Sequence, residues 1–442
     1  MSDSVKKRVI FGVLFLVFLG LVLAGCGKKE QAATETKQQV EFRFGYPSSV
    51  TNDYKMMMDH VIPLFEEQHP DIKVKFEYMP WGQFRTKLLT ELAANQAPDL
   101  WISDGVHFMN YASRGAILDL TDWIKRDFNK EDYLALDFAS DPEGRIWGVP
   151  REIQMTVFYY NKKLFDEAGV DYPDETWDWD TLLSAAKKLT KQKDAKVKQY
   201  GYHSQNWITA GWFNFIYQNG GRILDETRTK SMLDQPEVVE AVKFMVDLIY
   251  KHKVSPTGEV LEGAGALGGP FPSQLVAMQY NNSIQVSVFN KSKDLDYDIA
   301  VLPKRKIRAV SYNANPFVIN SKSSPEKAEA AWKFIKFFAS NEKVQRLLAE
   351  GGFGIPILKK AIYSDAFMYS SIKPDNKAAF IEPLEDGYAL PMDLNKCWGE
   401  WNNAINQNLS LAWLGEITPE EAVINAHKAV QKILDSAFSN ND

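Results

Sequence analysis

From Val40 onward the chain alternates between two hydrophobic periods, and this alternation limits its fold more than any other feature. The segment IKVKFEYM puts Ile72, Val74, Phe76 and Tyr78 on one face, a period of two that marks a strand. WGQFRTKLLTELAANQ follows with Phe84, Leu88 and Leu92 four apart, the spacing of a helix stripe. EFRFGY before them reads as a strand, TNDYKMMMDHVIPLFEEQHP as a helix stopped at His69-Pro70, and DLWISD as a further strand. Strand and helix units of this length predict an α/β fold, a largely parallel sheet covered by helices on both faces. Ligands then sit beyond the carboxyl ends of the strands. Here those ends are the loop 46–52, Pro80-Trp81 and Ser103-Asp104-Gly105.

The alternation resumes later. GRIWGVPREIQMTVFYYN contains an extended run, and KKLFDEAG, TLLSAAKKLT and PEVVEAVKFMVDLIYKHK carry helical patterns. LVAMQYN, YDIAVLP and AVSYNANPFVIN read as strands, and PEKAEAAWKFIKFFASNEKVQRLLAE as one long helix ending at Gly351-Gly352. The tail from Trp398 reads as helices broken at Gly415. At 442 residues, 45% of them hydrophobic, the chain is long enough for two α/β lobes.

The N-terminus has a different character. Lys6, Lys7 and Arg8 precede sixteen uncharged, mostly apolar residues, Val9 to Ala24. A membrane span needs about 20 such residues, whereas the apolar core of an export signal is shorter and ends at small residues. Leu23-Ala24-Gly25-Cys26 resembles the lipobox of bacterial lipoproteins. The resemblance implies a signal peptide over 1–25, a diacylglyceryl group on the Cys26 thiol and further acylation, such as palmitate, on the new amine. A signal anchor with an incidental cysteine is the other reading. Residues 26–39, with no aliphatic side chain larger than alanine before Val40, read as a flexible tether. The body would then be held at the cell membrane, facing the extracellular side or the periplasm.

The net charge is −6, and without residues 1–25 it is −8, so nucleic acid, which calls for a basic face, is not an expected partner. Cys397 is the only other cysteine, which excludes a disulfide framework within the body; with no histidine beside it, it reads as a buried inert thiol. The six histidines show no metal-ligand spacing, and no cofactor is expected. Gly263 to Gly268 matches G-x-G-x-x-G, but Gly269-Pro270-Phe271-Pro272 follows where a dinucleotide site needs a helix, so it reads as a loop. Asp178-Trp179-Asp180 directly precedes a helical pattern and reads as its cap.

Several segments together resemble the family 1 extracellular solute-binding proteins of ABC importers, the sugar-binding class. They are APDLWISDG with YASRGAILDLTDWI, GRIWGVPREIQMTVFYYNKKLFDEAGV, ETWDWDTLLSAAKKLT, QNGGRIL, LVAMQYN, YDIAVLPK and SSPEKAEAAWKFIKFFAS, in family order from about residue 42 to the C-terminus. The resemblance implies two lobes joined by hinge strands, with a ligand cleft between them. Lobe 1 would hold 40–150 with 316–354 returning to it, and lobe 2 would hold 151–315 with most of 355–442. The crossings would fall near Val149–Val157 and Asn313–Phe317, with a third after Gly354. Ligand that binds the closed form more tightly pulls the hinge shut, and the closed form is read by the permease subunits of an ABC transporter. The protein would be a monomer and no enzyme.

A sugar presents hydroxyl edges and apolar C–H faces, so its site needs aromatic platforms and fixed amides or carboxylates. Trp81 follows a strand and is either a platform or packing for the next helix. Asp104 either accepts from hydroxyls or caps the next helix. Gln154 lies in the expected hinge strand, where the family places a polar contact. Trp212 lies near the family's second-lobe aromatic position, with Trp207 as the alternative, and core packing is open for both. Asn281 ends a strand after which the family carries Gly-Pro-Trp; this chain has Asn282-Ser283-Ile284, so that corner lacks the usual aromatic. Asn313 and Asn315 flank the second crossing. Trp398 and Trp401, three apart on a helical pattern, face one side, and one of them is expected to cap the sugar.

Two other functions compete. A secreted carbohydrate-active enzyme would need two carboxyl groups about 5–9 Å apart across the scissile bond, and no pair in the sequence has that character. A receptor for a polyamine or peptide would need converging acids rather than tryptophans and asparagines.

Overall fold

The computed structural model describes residues 39–193, 196–264, 269–369 and 371–439. Cys26, the signal, the tether as far as residue 38 and residues 265–268 lie outside them; of the expected glycine loop, Gly263 and Ala264 instead end the helix Gly258–Ala264. The described residues fall in one unit, Gln39–Asp442.

Ten strands form among them: β1 (Val40–Pro47), β2 (Ile72–Met79), β3 (Leu100–Ile102), β4 (Val149–Asn161), β5 (Lys191–Lys193), β6 (Lys196–His203), β7 (Val276–Asn282), β8 (Tyr297–Ala300), β9 (Val310–Ile319) and β10 (Ala389–Pro391). Their order is β2-β1-β3-β9-β4-β7-β6-β5, with β10 on β9 and β8 on β4. β1 is parallel to both β2 and β3. On β2, Ile72 and Val74 are buried while Lys73 and Lys75 are exposed, so this edge strand buries one face and guards itself with charge on the other.

The expected parallel sheet is therefore only part of the structure. β9 runs antiparallel to β3 and to β4, and β4 runs antiparallel to β7 and β8. β4 is the pivot. Its residues Val149 to Met155 pair with β9, and Thr156 to Tyr160 pair with β7. One continuous strand thus belongs to both halves of the sheet. Ile153 is bridged in addition by Ile355, so a third segment meets β4 at the same place.

Aromatic rings pack both halves within one continuous core. The helix Pro325–Ser340 lays Phe334 and Phe338 on the first half, with ring centroids 5.2 Å from Phe44 and 5.0 Å from Phe317. In the second half Phe215 stacks on Tyr280 at 5.1 Å and Trp179 on Phe244 at 4.6 Å. Fully burying one such ring stabilises the fold by about 1.5–3 kcal/mol.

The long helix expected up to Gly351-Gly352 is in fact two, Pro325–Ser340 and Glu342–Glu350. Asn341 leaves the helical conformation between them, and its side-chain oxygen accepts from the Lys343 and Val344 backbone N–H groups. Asparagine competes with a continuous helix in this way because its short amide satisfies the free donors of a new first turn. Asp178 caps its helix as expected, accepting from the Thr181 backbone N–H at 2.8 Å. No helix among the described residues is long and apolar enough to cross a membrane.

Candidate functional site

A cleft of about 510 Å³ lies over the strands where β4 and β9 pair. Its lining includes Asp104, Gln154, Trp207, Asn281, Asn313 and Trp398, six residues singled out in the sequence. They come from six separate stretches of chain.

Asp104 stands just beyond the buried strand β3. The loop after it is strapped to β9: the Ser103 backbone N–H donates to the Pro316 carbonyl at 2.8 Å, and the Gly105 N–H donates to Asn315 Oδ1 at 3.1 Å. A Cβ at Gly105 would lie 1.9 Å from the Ala314 carbonyl oxygen, so only glycine permits this approach. Asp104 does not cap the helix Phe108–Ser113 with its side chain. Its carboxylate pairs with Arg85 at 3.0 Å.

Beneath the cleft is a buried charged cluster that the sequence reading did not find. Arg151 lies 2.9 Å from Asp53 and 3.2 Å from Glu152, and all three are almost fully buried. Tyr46 donates to Asp53, and Gln154 and Asn315 both donate to Glu152 Oε1, at 3.0 and 2.8 Å. Burial pushes the Glu152 carboxyl up, with the neighbouring Arg151 guanidinium opposing. A Cβ on Gly354 would come within 2.3 Å of Glu152 Cγ, so the third segment also closes on this residue. Glu152 therefore holds Gln154 and Asn315 at the meeting point of β4, β9 and the Gly354 segment. Only a glutamate flanked by arginine inside an apolar run (VPREIQM) hinted at this.

The aromatic walls are Trp207 and Trp398. Trp207 is 58% exposed and stands on a turn that Gly211 makes possible, since a Cβ there would lie 2.0 Å from the Gln205 carbonyl oxygen. Trp398 opens the helix Trp398–Trp413, and its ring meets His107 edge-on at 6.0 Å. Between the walls are amides. Asn282, Gln285, Asn402 and Asn403 join the asparagines expected from sequence, so the corner lacking the usual aromatic is polar.

Three buried polar atoms of the lining have no hydrogen-bond partner among the described residues: Asn313 Oδ1, Trp398 Nε1 and Asn402 Oδ1. An unmatched buried group costs about 1–3 kcal/mol, and other such atoms lie elsewhere in the core, on Trp101 and Tyr202 among them. Two acceptors and one donor suit hydroxyls, which both donate and accept.

Four of the sequence expectations fall elsewhere. Trp212 is fully buried, with its Nε1 donating to Asn406 at 3.1 Å, and Trp401 is fully buried, donating to Asn395 at 3.1 Å. Trp401 does share a side with Trp398, their rings 5.9 Å apart, but only Trp398, in the first turn, reaches the cleft. Trp81 begins the helix Trp81–Ala93, half-buried against the core rather than lining the cleft. Asn315 is buried below the surface, joining Gly105 to Glu152. Cys397 is buried, and burial pushes its thiol up to about 11.

The comparisons agree with this geometry. A model of the bacterial extracellular solute-binding protein family matches residues 48–345. A maltotriose-binding protein of Pyrococcus abyssi is 24% identical over 77% of this chain and 71% of its own. A galactooligosaccharide-binding protein of Bacillus subtilis is 22% identical over 95% of this chain and 96% of its own. Among solved structures, an ABC substrate-binding protein from Listeria monocytogenes in complex with cycloalternan superposes with a TM-score of 0.76 at 29% identity, covering 89% of this chain and 98% of that one. A maltose-bound protein of T. maritima gives 0.72 at 26% identity, covering 89% and 99%. The fold is the two-lobe α/β fold of such receptors, and the chain belongs to the bacterial extracellular solute-binding proteins, a family of binding proteins rather than enzymes.

Proposed function

We propose that this protein captures an oligosaccharide in the cleft between Trp207 and Trp398 and delivers it to the permease subunits of an ABC transporter. The observation that carries the reading is the row of amides, Gln154, Asn281, Asn313 and Asn402, lining the cleft between Trp207 and Trp398. The tryptophans offer apolar faces to C–H groups while the amides take the hydroxyls. Relatives are named as maltotriose- and galactooligosaccharide-binding proteins and one solved neighbour is maltose-bound, which supports a sugar over a polyamine or peptide. Among the described residues Asp104 is the single carboxylate lining the cleft, where glycoside hydrolysis takes a pair and a polyamine would take several. The family's binding role supports capture without chemistry.

In this reading lobe 1 (40–150 with 316–354) and lobe 2 (151–315 with most of 355–442) close about β4, β9 and the segment after Gly354. Glu152, held by all three, sits at the axis. The mature chain begins at Cys26, lipidated and tethered to the membrane, and works as a monomer. The test is a thermal-shift screen of the full-length protein in detergent against mono- and oligosaccharides, polyamines and short peptides. Ligand at 100 times its Kd adds about 2.7 kcal/mol. Shifts with polyamines or peptides alone would refute the sugar reading, and steady release of product from a glycan would refute the binding role.

A further inference from the structure

The cleft does not end at Trp398. Arg85, Val106, His107, Trp398, Gly399 and Asn403 line both it and a second hollow of about 450 Å³. That hollow in turn shares Leu89, Asn110, Tyr111 and Arg114 with a third, about 260 Å³, which reaches Asn320, Ser321 and Lys322. The three form one trough. It runs from the paired strands, past the edge-on contact of His107 and Trp398, and out along the helices Trp81–Ala93 and Phe108–Ser113.

Charge changes along this trough. At the inner end Arg85 and Asp104 neutralise each other at 3.0 Å. Farther out, Arg114 and Glu400 line the middle hollow while the Lys396 ammonium sits over the Phe438 ring at 4.5 Å, and among the described residues the outermost hollow carries Arg114 and Lys322 with no carboxylate. Neither Arg114 nor Lys322 is within ion-pairing distance of any carboxylate among the described residues, although the whole chain carries −6. Lone exposed cations are ordinary on a protein surface. These two lie at the end of a continuous path from the ligand cleft, where local field acts on whatever the path holds. Arg114 adds a planar fork of donors matched to a carboxylate.

Building on the sugar reading above, we propose that the solute is an extended acidic oligosaccharide. Uncharged units occupy the amide-lined cleft between Trp207 and Trp398, and a carboxylate-bearing unit, a uronate, lies in the outer trough against Arg114, with Lys322 beside it. The inner cleft, with its self-paired Arg85 and Asp104, reads hydroxyls. The outer trough reads charge.

The test pairs each of a panel of uronate-containing oligosaccharides with its carboxyl-reduced, neutral counterpart, and measures Kd for the full-length protein in detergent at 50 and 500 mM NaCl. Arg114→Ala and Arg114→Lys are measured alongside. The acidic member of the best-binding pair is expected to bind about two- to fivefold more tightly at low salt, as an exposed charge pair allows. High salt shrinks the preference. Arg114→Ala removes it while leaving the neutral partner's affinity within twofold, and Arg114→Lys keeps part of it. Equal binding of acidic and neutral partners, or a preference that survives Arg114→Ala, overturns the proposal and leaves the sugar reading standing. No binding by either member of any pair, or by the neutral sugars of the first screen, removes both.

Discussion

Trp398 and Trp401 lie three residues apart on one helix, yet their replacement by alanine should have opposite consequences. Trp401 is fully buried, so Trp401→Ala opens a cavity in the core. Large aromatic-to-alanine changes cost about 3–5 kcal/mol, and Asn395 Oδ1 keeps a donor in the Cys397 backbone N–H at 3.1 Å, so no further penalty for an orphaned acceptor is added. The loss should appear as a fall in Tm of roughly 5–10 °C. Trp398 is half-buried at the cleft wall and gives up little packing, mainly its edge contacts with His107 at 6.0 Å and Trp401 at 5.9 Å. Such contacts are worth about 0.5–1.5 kcal/mol each, and removing Nε1, a buried donor without a partner, recovers part of that. Trp398→Ala should therefore change Tm by only a few degrees without ligand. Ligand affinity should fall about 30-fold or more, since an aromatic anchor at a binding surface is worth about 2 kcal/mol or more. Calorimetric unfolding with and without the sugar found in the screen measures both effects. If Trp398→Ala unfolds the protein as Trp401→Ala does, or binds sugar normally, the assignment of Trp398 to the cleft is refuted.

Four further outcomes are expected. Glu152→Ala leaves the buried Arg151 with Asp53 alone and should cost about 3–5 kcal/mol, whereas Glu152→Gln keeps the acceptor for Gln154 and Asn315 and should cost clearly less; urea unfolding separates them, and equal losses would refute the hub role. Gly105→Ala forces the 103–107 loop off β9, and titration should show weakened binding with a retained fold; unchanged affinity would refute that strap as a determinant of the site. Burial lowers the pKa of His203 from 6.5 to about 4, so the fold favours its neutral form. The unfolded chain then binds the extra proton first, so this stabilisation is full above pH 6.5 and lost as pH falls through about 4. It amounts to roughly 3 kcal/mol at most, and His203→Gln should flatten the acid limb of a stability-versus-pH curve. Cys26→Ser should move the protein from the membrane fraction to the soluble one, and unchanged fractionation would refute the lipid anchor.

The strand and helix periods of residues 40–102 were legible because each element is decided locally. Ile72 and Val74 must face inward whatever their partners are, and the structure puts both in the core. The Asn341 break was missed because a helical stripe runs through it, and only the cap geometry shows that the amide serves a new first turn. The cleft was half legible. Asp104, Gln154, Asn281 and Asn313 were found because they end or cross strands, a position that sequence marks. The tryptophans were not sortable in the same way. Trp207 and Trp212 share one short segment, and which of them meets solvent depends on the turn at Gly211 and on Asn406, almost two hundred residues away.

By itself, then, the sequence determined the α/β class and the residue types a sugar site requires, since periodicity and side-chain chemistry are properties of short stretches. Only the tertiary structure decided which of those side chains converge. It made β4 common to both halves, sank Arg151 and Glu152 beneath the cleft, and brought Trp398 to His107 across nearly three hundred residues of chain. Convergence of that kind is set by long-range strand pairing and packing, which no local pattern encodes.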